Sequence, residues 1–288
     1  MRTVFIGAGS IAVSLAFALQ KQGRQIVQIY SRTMASAQQL ADRLGEGEAT
    51  CDISDVRTDA ELYVLAVTDG ALAVTAKRLA EVFGSRNEAF DAQRLFVHVA
   101  CTQPVEVLEP LRPFGLTGVL YPMQTFVRSR VVDLGRTSFF VEGSTEEAQR
   151  RVRELALAFS PAVYAADYEH RLYLHFAGNM AANFSNCLYA IAQEVLDEAR
   201  LPLDVLFPIV DETARKIHSL PPREAQSGPA ARGDEVTIEK HLALIDRLSG
   251  PTALDSTSPV SLKDMYRFFT HNIQTVSKHR KIYFPLVN

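Results

Sequence analysis

The chain of 288 residues is short of cysteine, of net charge and of long apolar runs, and each shortage removes a class of function. Its three cysteines, Cys51, Cys101 and Cys187, are odd in number and hold no metal-ligand spacing. They read as reduced, mostly buried thiols, and no metal site is expected. A net charge of −3 offers no general attraction to nucleic acid or to an anionic membrane surface. No stretch approaches the roughly 18 apolar residues of a membrane span. The sequence opens on a strand rather than a signal peptide, which predicts a cytoplasmic protein. Internal repeats and low-complexity tracts are missing as well. A chain of this length exceeds the usual single core, so two domains are expected.

What is present begins at once. Residues 4–12, VFIGAGSIA, run an apolar strand into Gly7-x-Gly9-x-x-Ala12 at the mouth of an amphipathic helix. Gly7 allows the tight turn, Gly9 lets backbone approach a pyrophosphate, and Ala12 lets helix and strand pack closely. Bare N–H groups at the helix start, from Ala8, Ser10 and Ile11, would face the anion. This context predicts a dinucleotide site rather than an ordinary turn.

One further absence selects the dinucleotide. The second strand, at 26–30, ends in Ser31-Arg32-Thr33, where an acidic residue would grip the ribose hydroxyls of NAD. A carboxylate there repels a 2′-phosphate, whereas a guanidinium flanked by hydroxyls hydrogen-bonds it. The cofactor expected is NADP. Thr33 also suits the N-cap of the helix that follows, a role compatible with phosphate binding.

The first part of the chain alternates strand and helix, with strands expected at 3–6, 26–30, 62–67, 95–99, 117–121 and 138–142 and a last one near 162–165. Near-continuous apolar strands suit a parallel sheet covered on both faces. Helical periodicity alone follows, at about 168–199, 203–219, 234–248 and 261–281. The fold class expected is α/β: a Rossmann-type, doubly wound, mainly parallel sheet at 1–166, then an all-helical domain at 167–288. Val67, at the end of the strand at 62–67, Thr68, just after it, and Ala100, after the strand at 95–99, should lie at the carboxyl edge where ligands bind. His98, inside a strand, reads as a satisfied core residue.

The helix expected at 168–199 carries a second pattern. At roughly 100° per residue, His175, Asn179, Asn183 and Asn186 fall within about 80° of one another. Met180, Phe184, Cys187, Leu188 and Ile191 mark an opposite, apolar side meant for a core. Aligned amides and an imidazole are costly to bury without partners, and a solvated face normally mixes Lys and Glu, which this one does not. The stripe therefore reads as facing a cleft.

At these residues the chain resembles a family. The glycine turn, YPMQTF at 121–126, the helix from His175 to Asn186, and DETARKIHSLPPREAQSGPAARGD at 211–234 resemble uncharacterised bacterial proteins that join a Rossmann-like domain to a helical domain of unknown function. Members are commonly described as NADP or deazaflavin-coenzyme oxidoreductases. More distantly, the architecture is similar to pyrroline-carboxylate reductase, ketopantoate reductase and the β-hydroxyacid dehydrogenases. In the last of these a helix sets a Lys and, four residues on, an Asn beside the nicotinamide; His175 and Asn179 repeat that spacing. After the strand ending at Val99 the relatives tend to have Gly and Ser, where this chain has Cys101 and Thr102.

The resemblance and the residues together imply hydride transfer between NADP(H) and a small carbonyl, hydroxy-acid or imine substrate in an interdomain cleft. His175 would exchange the proton, since imidazole titrates near neutrality, with Asn179 and Asn183 orienting the substrate. Gln124, Asn186 and Arg232 are weaker substrate candidates. Arg232 also suits a surface charge before Asp234 as a helix N-cap. The alternative is an NADP(H)-binding sensor without catalysis, since a fold does not guarantee chemistry. Apolar side chains toward the C-terminus (Met265, Phe268, Phe269, Tyr283, Phe284) and the resembling reductases lead to the expectation of a homodimer through the helical domain.

Overall fold

In the computed structural model, which describes residues 1–248 and 260–278, an eight-stranded sheet is followed by helices alone. The strands are β1 (Arg2–Ile6), β2 (Gln25–Tyr30), β3 (Glu48–Thr50), β4 (Leu62–Leu65), β5 (Asp91–His98), β6 (Gly115–Met123), β7 (Ser138–Gly143) and β8 (Val163–Ala165). Helices α1 (Ser10–Lys21), α2 (Met34–Leu44), α3 (Asp69–Ser85) and α4 (Glu146–Leu157) alternate with them. The strand order is β3-β2-β1-β4-β5-β6-β7-β8. Pairing is parallel from β3 through β6; β7 then runs antiparallel to β6, and β8 parallel to β7. The order reverses between β1 and β4, and at such a switch point the two following loops diverge and leave a crevice.

Period-two alternation in β1 divides the core. Val4 and Ile6 join Tyr63, Leu65, Phe96 and the α3 residues Leu72, Ala76, Leu79 and Phe83 on one face. Phe5 joins Leu15 of α1, Leu40 of α2 and Val152 of α4 on the other. All four residues of β4 are buried, so this strand needs an apolar side chain at every position. That is why its sequence, LYVL, shows no alternation.

After Ala165 the described elements are helical. Asp167 caps α5 (Tyr168–Gly178) by accepting from the His170 amide at 2.9 Å. A π-helical stretch, Asn179–Phe184, follows, then α6 (Ser185–Glu198), α7 (Phe207–Lys216), α8 (Pro222–Ala225), α9 (Pro229–Arg232), α10 (Glu235–Ile245) and α11 (Leu262–Lys278). The chain divides into two compact units, Met1–Ala182 and Asn183–Asn288. Within the second, Asp234 caps α10 by accepting from the Thr237 amide at 3.1 Å. His241 of α10 meets the Tyr266 hydroxyl of α11 at 2.8 Å, and Lys263 pairs with Asp246 at 2.7 Å.

Four expectations need correction. The helix expected at 168–199 is not continuous: it widens at 179–184, directly after Gly178. A Cβ at Gly178 would lie 2.5 Å from Met123 Cε, and Gly and Asn are both weak helix formers. The uniform angular alignment of His175 with Asn183 and Asn186 therefore does not survive, because wider turns intervene. The supposed core side of that helix is also open: Met180, Phe184, Cys187 and Leu188 are exposed, and only Ile191 is buried. Of the cysteines, Cys101 alone is buried, while Cys51 and Cys187 are exposed; all three are free thiols. The helix expected at 203–219 is shorter, opening with a 3-10 turn at Leu203–Leu206 before α7. Positions 279–281 of the last expected helix lie outside the described residues, as do Tyr283 and Phe284.

Candidate active site

The site is assembled at the carboxyl edge of the sheet, from the loops after β1, β2 and β4. Gly7 adopts φ of +113°, and a Cβ there would meet the Ala66 carbonyl oxygen at 2.3 Å. Only glycine satisfies both constraints. The Gly7 amide donates to the Tyr30 carbonyl at 2.8 Å, which fixes the turn against the end of β2. Gly9 is the N-cap of α1 and makes no side-chain cap. The first N–H groups of α1 are thus left for a ligand, with the positive end of the helix dipole behind them.

A cavity of about 220 Å³ opens here, lined by Gly7, Ala8, Gly9, Tyr30, Ser31, Arg32, Ser36, Ala66, Val67, Thr68, Ala71, Thr75 and Arg128. No acidic side chain lines it. It carries two guanidiniums, Arg32 and Arg128, and neither has a hydrogen-bond or ion-pair partner among the described residues. Seven of the residues expected at the cofactor therefore converge: Gly7, Ala8, Gly9, Ser31, Arg32, Val67 and Thr68. Four others stand back from the cavity. Ser10 opens α1, Ile11 packs against the core, Ala100 is buried, and Thr33 caps α2 through the Ser36 amide at 3.4 Å.

A second group of side chains surrounds the loop after β5. The Thr102 hydroxyl donates to the carboxylate of Asp69, in the first turn of α3. The thiol of Cys101 lies 3.0 Å from the Arg171 carbonyl of α5. Burial pushes that thiol up to about 11, so it stays protonated at neutral pH. Arg171 is fully buried; it pairs with Glu142 of β7 and donates to the carbonyls of Ala166 at 3.0 Å and Gln103 at 2.8 Å. One side chain thus ties β7, the loop after β5 and the start of α5 together.

His98 is buried as expected, but it is not satisfied: neither ring nitrogen has a hydrogen-bond partner. Burial and the nearby Arg171 charge pull its pKa down to about 3, against a weaker pull from the backbone of Pro104 and Ala100. The ring is neutral at physiological pH, which is what makes an unpartnered imidazole tolerable in a core.

His175 stands exposed on α5, one turn beyond Arg171, and its backbone adjoins the Cys101 thiol. The Asn179 side-chain amide donates to the His175 carbonyl at 3.2 Å. Asn183 and Asn186 are exposed in the π-helical stretch and in α6. Gln124 is exposed and accepts from the Thr125 amide at 2.8 Å. Arg232 is exposed at the end of α9, where Gly233 turns left-handed at φ of +68°. Sequence reasoning missed Arg128, Ser36, Asp69 and Arg171. Ser36 had a signal in its position in the first turn after Thr33. Arg128 had none, since it lies in an irregular loop far from the glycine turn.

The strand order and glycine turn define a Rossmann-like α/β fold. Residues 1–121 match the Rossmann-like domain family, and residues 137–273 match the family described as a domain of unknown function, DUF2520. A crystal structure from Bacteroides fragilis, described as a "putative NADP oxidoreductase", is 38% identical, with 95% of this chain and 98% of that one covered and a TM-score of 0.81. This chain belongs to that family, which joins a Rossmann-like domain to DUF2520. An imine reductase from Streptomyces aurantiacus is similar in fold at 17% identity, covering 98% of this chain and 100% of that one with a TM-score of 0.59. An imine reductase from Myxococcus stipitatus in complex with NADP+ shares the fold at 12% identity, covering 96% and 93% with a TM-score of 0.57. No curated protein sequence matches the chain. Among the described residues no helix is long and apolar enough to cross a membrane.

Proposed function

We propose that the protein is an NADP(H)-dependent oxidoreductase acting on a small carbonyl, hydroxy-acid or imine substrate. The observation that carries this reading is the cavity at the glycine turn, which combines a Cβ-free backbone and a helix N-terminus with two unpaired guanidiniums and no carboxylate. An adenosine 2′-phosphate and a pyrophosphate fit such a lining; a bare ribose diol asks for an acid instead. The B. fragilis relative, with its NADP description, supports the same cofactor.

The residues present divide the work. Ala8, Gly9 and the first N–H groups of α1 would hold the pyrophosphate, with Gly7 giving the close backbone approach, and Ser31, Arg32 and Ser36 would hold the 2′-phosphate. NADP(H) bound there would supply the hydride to an electrophilic carbon or take one from it. His175 would deliver the proton to the carbonyl oxygen or imine nitrogen, or take it back. Its exposed ring, on the helix that adjoins the loop after β5, suits a group that must exchange protons with solvent. Asn179 and Asn183 would orient the substrate heteroatom.

Fluorescence titration with NADPH and NADH tests the cofactor. NADPH should bind more tightly, and Arg32→Ala should remove most of the difference, a loss of about tenfold to a hundredfold for a charge-assisted pair. Equal affinity for the two would end the NADP reading. Clear NADPH binding with no turnover across ketones, hydroxy acids and imines would favour the sensor alternative.

A further inference from the structure

Arg128 does not belong to any motif of the nucleotide-binding turn. It comes from the irregular segment after β6, some hundred residues from Arg32 in sequence, yet it lines the same cavity. Two like charges brought to one small cavity repel each other, and neither is neutralised by a described acidic side chain. Such an arrangement lowers its energy when a dianion occupies the space between.

The segment carrying Arg128 is fastened on both sides. Its backbone carbonyl accepts from the Arg43 guanidinium of α2 at 2.8 Å, and Arg43 also stacks over Phe17 of α1 at 5.6 Å. Four residues on, the Val132 amide donates to Ser14 of α1 at 3.1 Å. Arg43 spends its charge bracing the loop, which leaves the neighbouring Arg128 guanidinium for the cavity. The brace stands in the last turn of α2, whereas Arg32 precedes its first turn. What sets Arg128 near Arg32 is the cavity that both line with Ser31 and Ser36, where the 2′-phosphate of an adenosine would lie, while the pyrophosphate would face the backbone of Ala8 and Gly9.

We propose that Arg128 is a second ligand for the 2′-phosphate of NADP(H), closing on it opposite Arg32. The cofactor's adenosine end is then gripped between the turn after β2 and the loop after β6, and specificity for NADP is shared between two arginines. This rests on the NADP reading above and goes beyond it in assigning a residue that no motif predicts. A planar guanidinium can meet two phosphate oxygens at once, so Lys at this position should be a poor substitute.

Isothermal titration of the full chain with NADP+, NAD+, 2′-AMP and 5′-AMP tests the assignment. Arg128→Ala should weaken NADP+ and 2′-AMP by about tenfold or more while NAD+ and 5′-AMP stay within about twofold. Arg128→Lys should recover only part of the loss. The melting temperature should not move, because the side chain is exposed. Equal weakening of NADP+ and NAD+ would assign Arg128 to the pyrophosphate and overturn the proposal, as would no change in either. If Arg32→Ala abolishes the NADP preference while Arg128→Ala leaves it intact, the NADP reading stands and only this assignment falls. If the wild-type chain binds none of the four ligands, both fall.

Discussion

The Thr102 hydroxyl donates to the Asp69 carboxylate, joining the loop after β5 to the first turn of α3. The loop after β4 borders the switch point between β1 and β4 at the carboxyl edge, so its tie to the loop after β5 sets how a ligand seated at the glycine turn meets the latter. Thr102→Val keeps the shape and removes the donor. With Asp69 half-exposed and able to reach water, the stability cost should be modest, about 0.5 to 1.5 kcal/mol. A thermal melt reads that cost. NADPH affinity should fall with it, and an unchanged melt together with unchanged affinity would show that the bond does not hold the loops.

The proton-transfer role assigned to His175 makes a prediction that separates chemistry from structure. Its side chain is exposed, so His175→Asn should leave the melting temperature and NADPH affinity nearly as they were. Turnover on a responsive substrate should drop by roughly a hundredfold to ten-thousandfold, the usual worth of a positioned acid or base. Lost stability with undiminished turnover would remove His175 from the mechanism.

His98 predicts an acid limb in the stability profile. Its folded pKa, near 3, lies below the ordinary value of 6.5, so between those pH values the unfolded chain binds a proton that the folded chain refuses. The stability contributed by keeping this ring neutral is fully present above pH 6.5 and is lost as pH falls toward 3. The slope is about 1.4 kcal/mol per pH unit. His98→Leu should flatten that limb between about pH 6.5 and 5, above the range in which most carboxylates titrate. Denaturant melts at a series of pH values would show it; identical slopes for the two proteins would refute it.

Assembly is the fourth prediction. Tyr173 and Phe176 on α5 are 70% and 63% exposed, and Met180 and Phe184 just beyond are 48% and 53% exposed. Apolar surface of this kind favours a second copy. Light scattering at micromolar concentration should give twice the chain mass, and Phe176→Lys should reduce it to one. A monomeric wild-type chain at that concentration would contradict the homodimer.

Legibility followed the physics of each element. The glycine turn was readable because a positive φ at Gly7 and a backbone contact against Ala66 admit one residue type. The strands of the parallel sheet were readable as apolar runs, whereas β3, Glu-Ala-Thr, is too short and too polar to stand out. The break after Gly178 escaped because a fixed angle per residue assumes the regularity it is used to detect. Burial of His98 was legible from its strand, but its missing partners were not, since satisfaction depends on what the fold brings alongside. Arg128 and Arg171 escaped for the same reason: each acquires its role through contacts with segments distant in the chain.

Both margins of the eight-stranded sheet are closed by three-residue strands, β3 at Glu48–Thr50 and β8 at Val163–Ala165. A margin that short offers too few free backbone groups to template another chain, and Glu48 adds a charge at one of them. Continuous sheets running from molecule to molecule, and the fibrous aggregation they seed, are thereby disfavoured. A wide hydrophobic sheet can be kept at high concentration without joining its neighbours edge to edge.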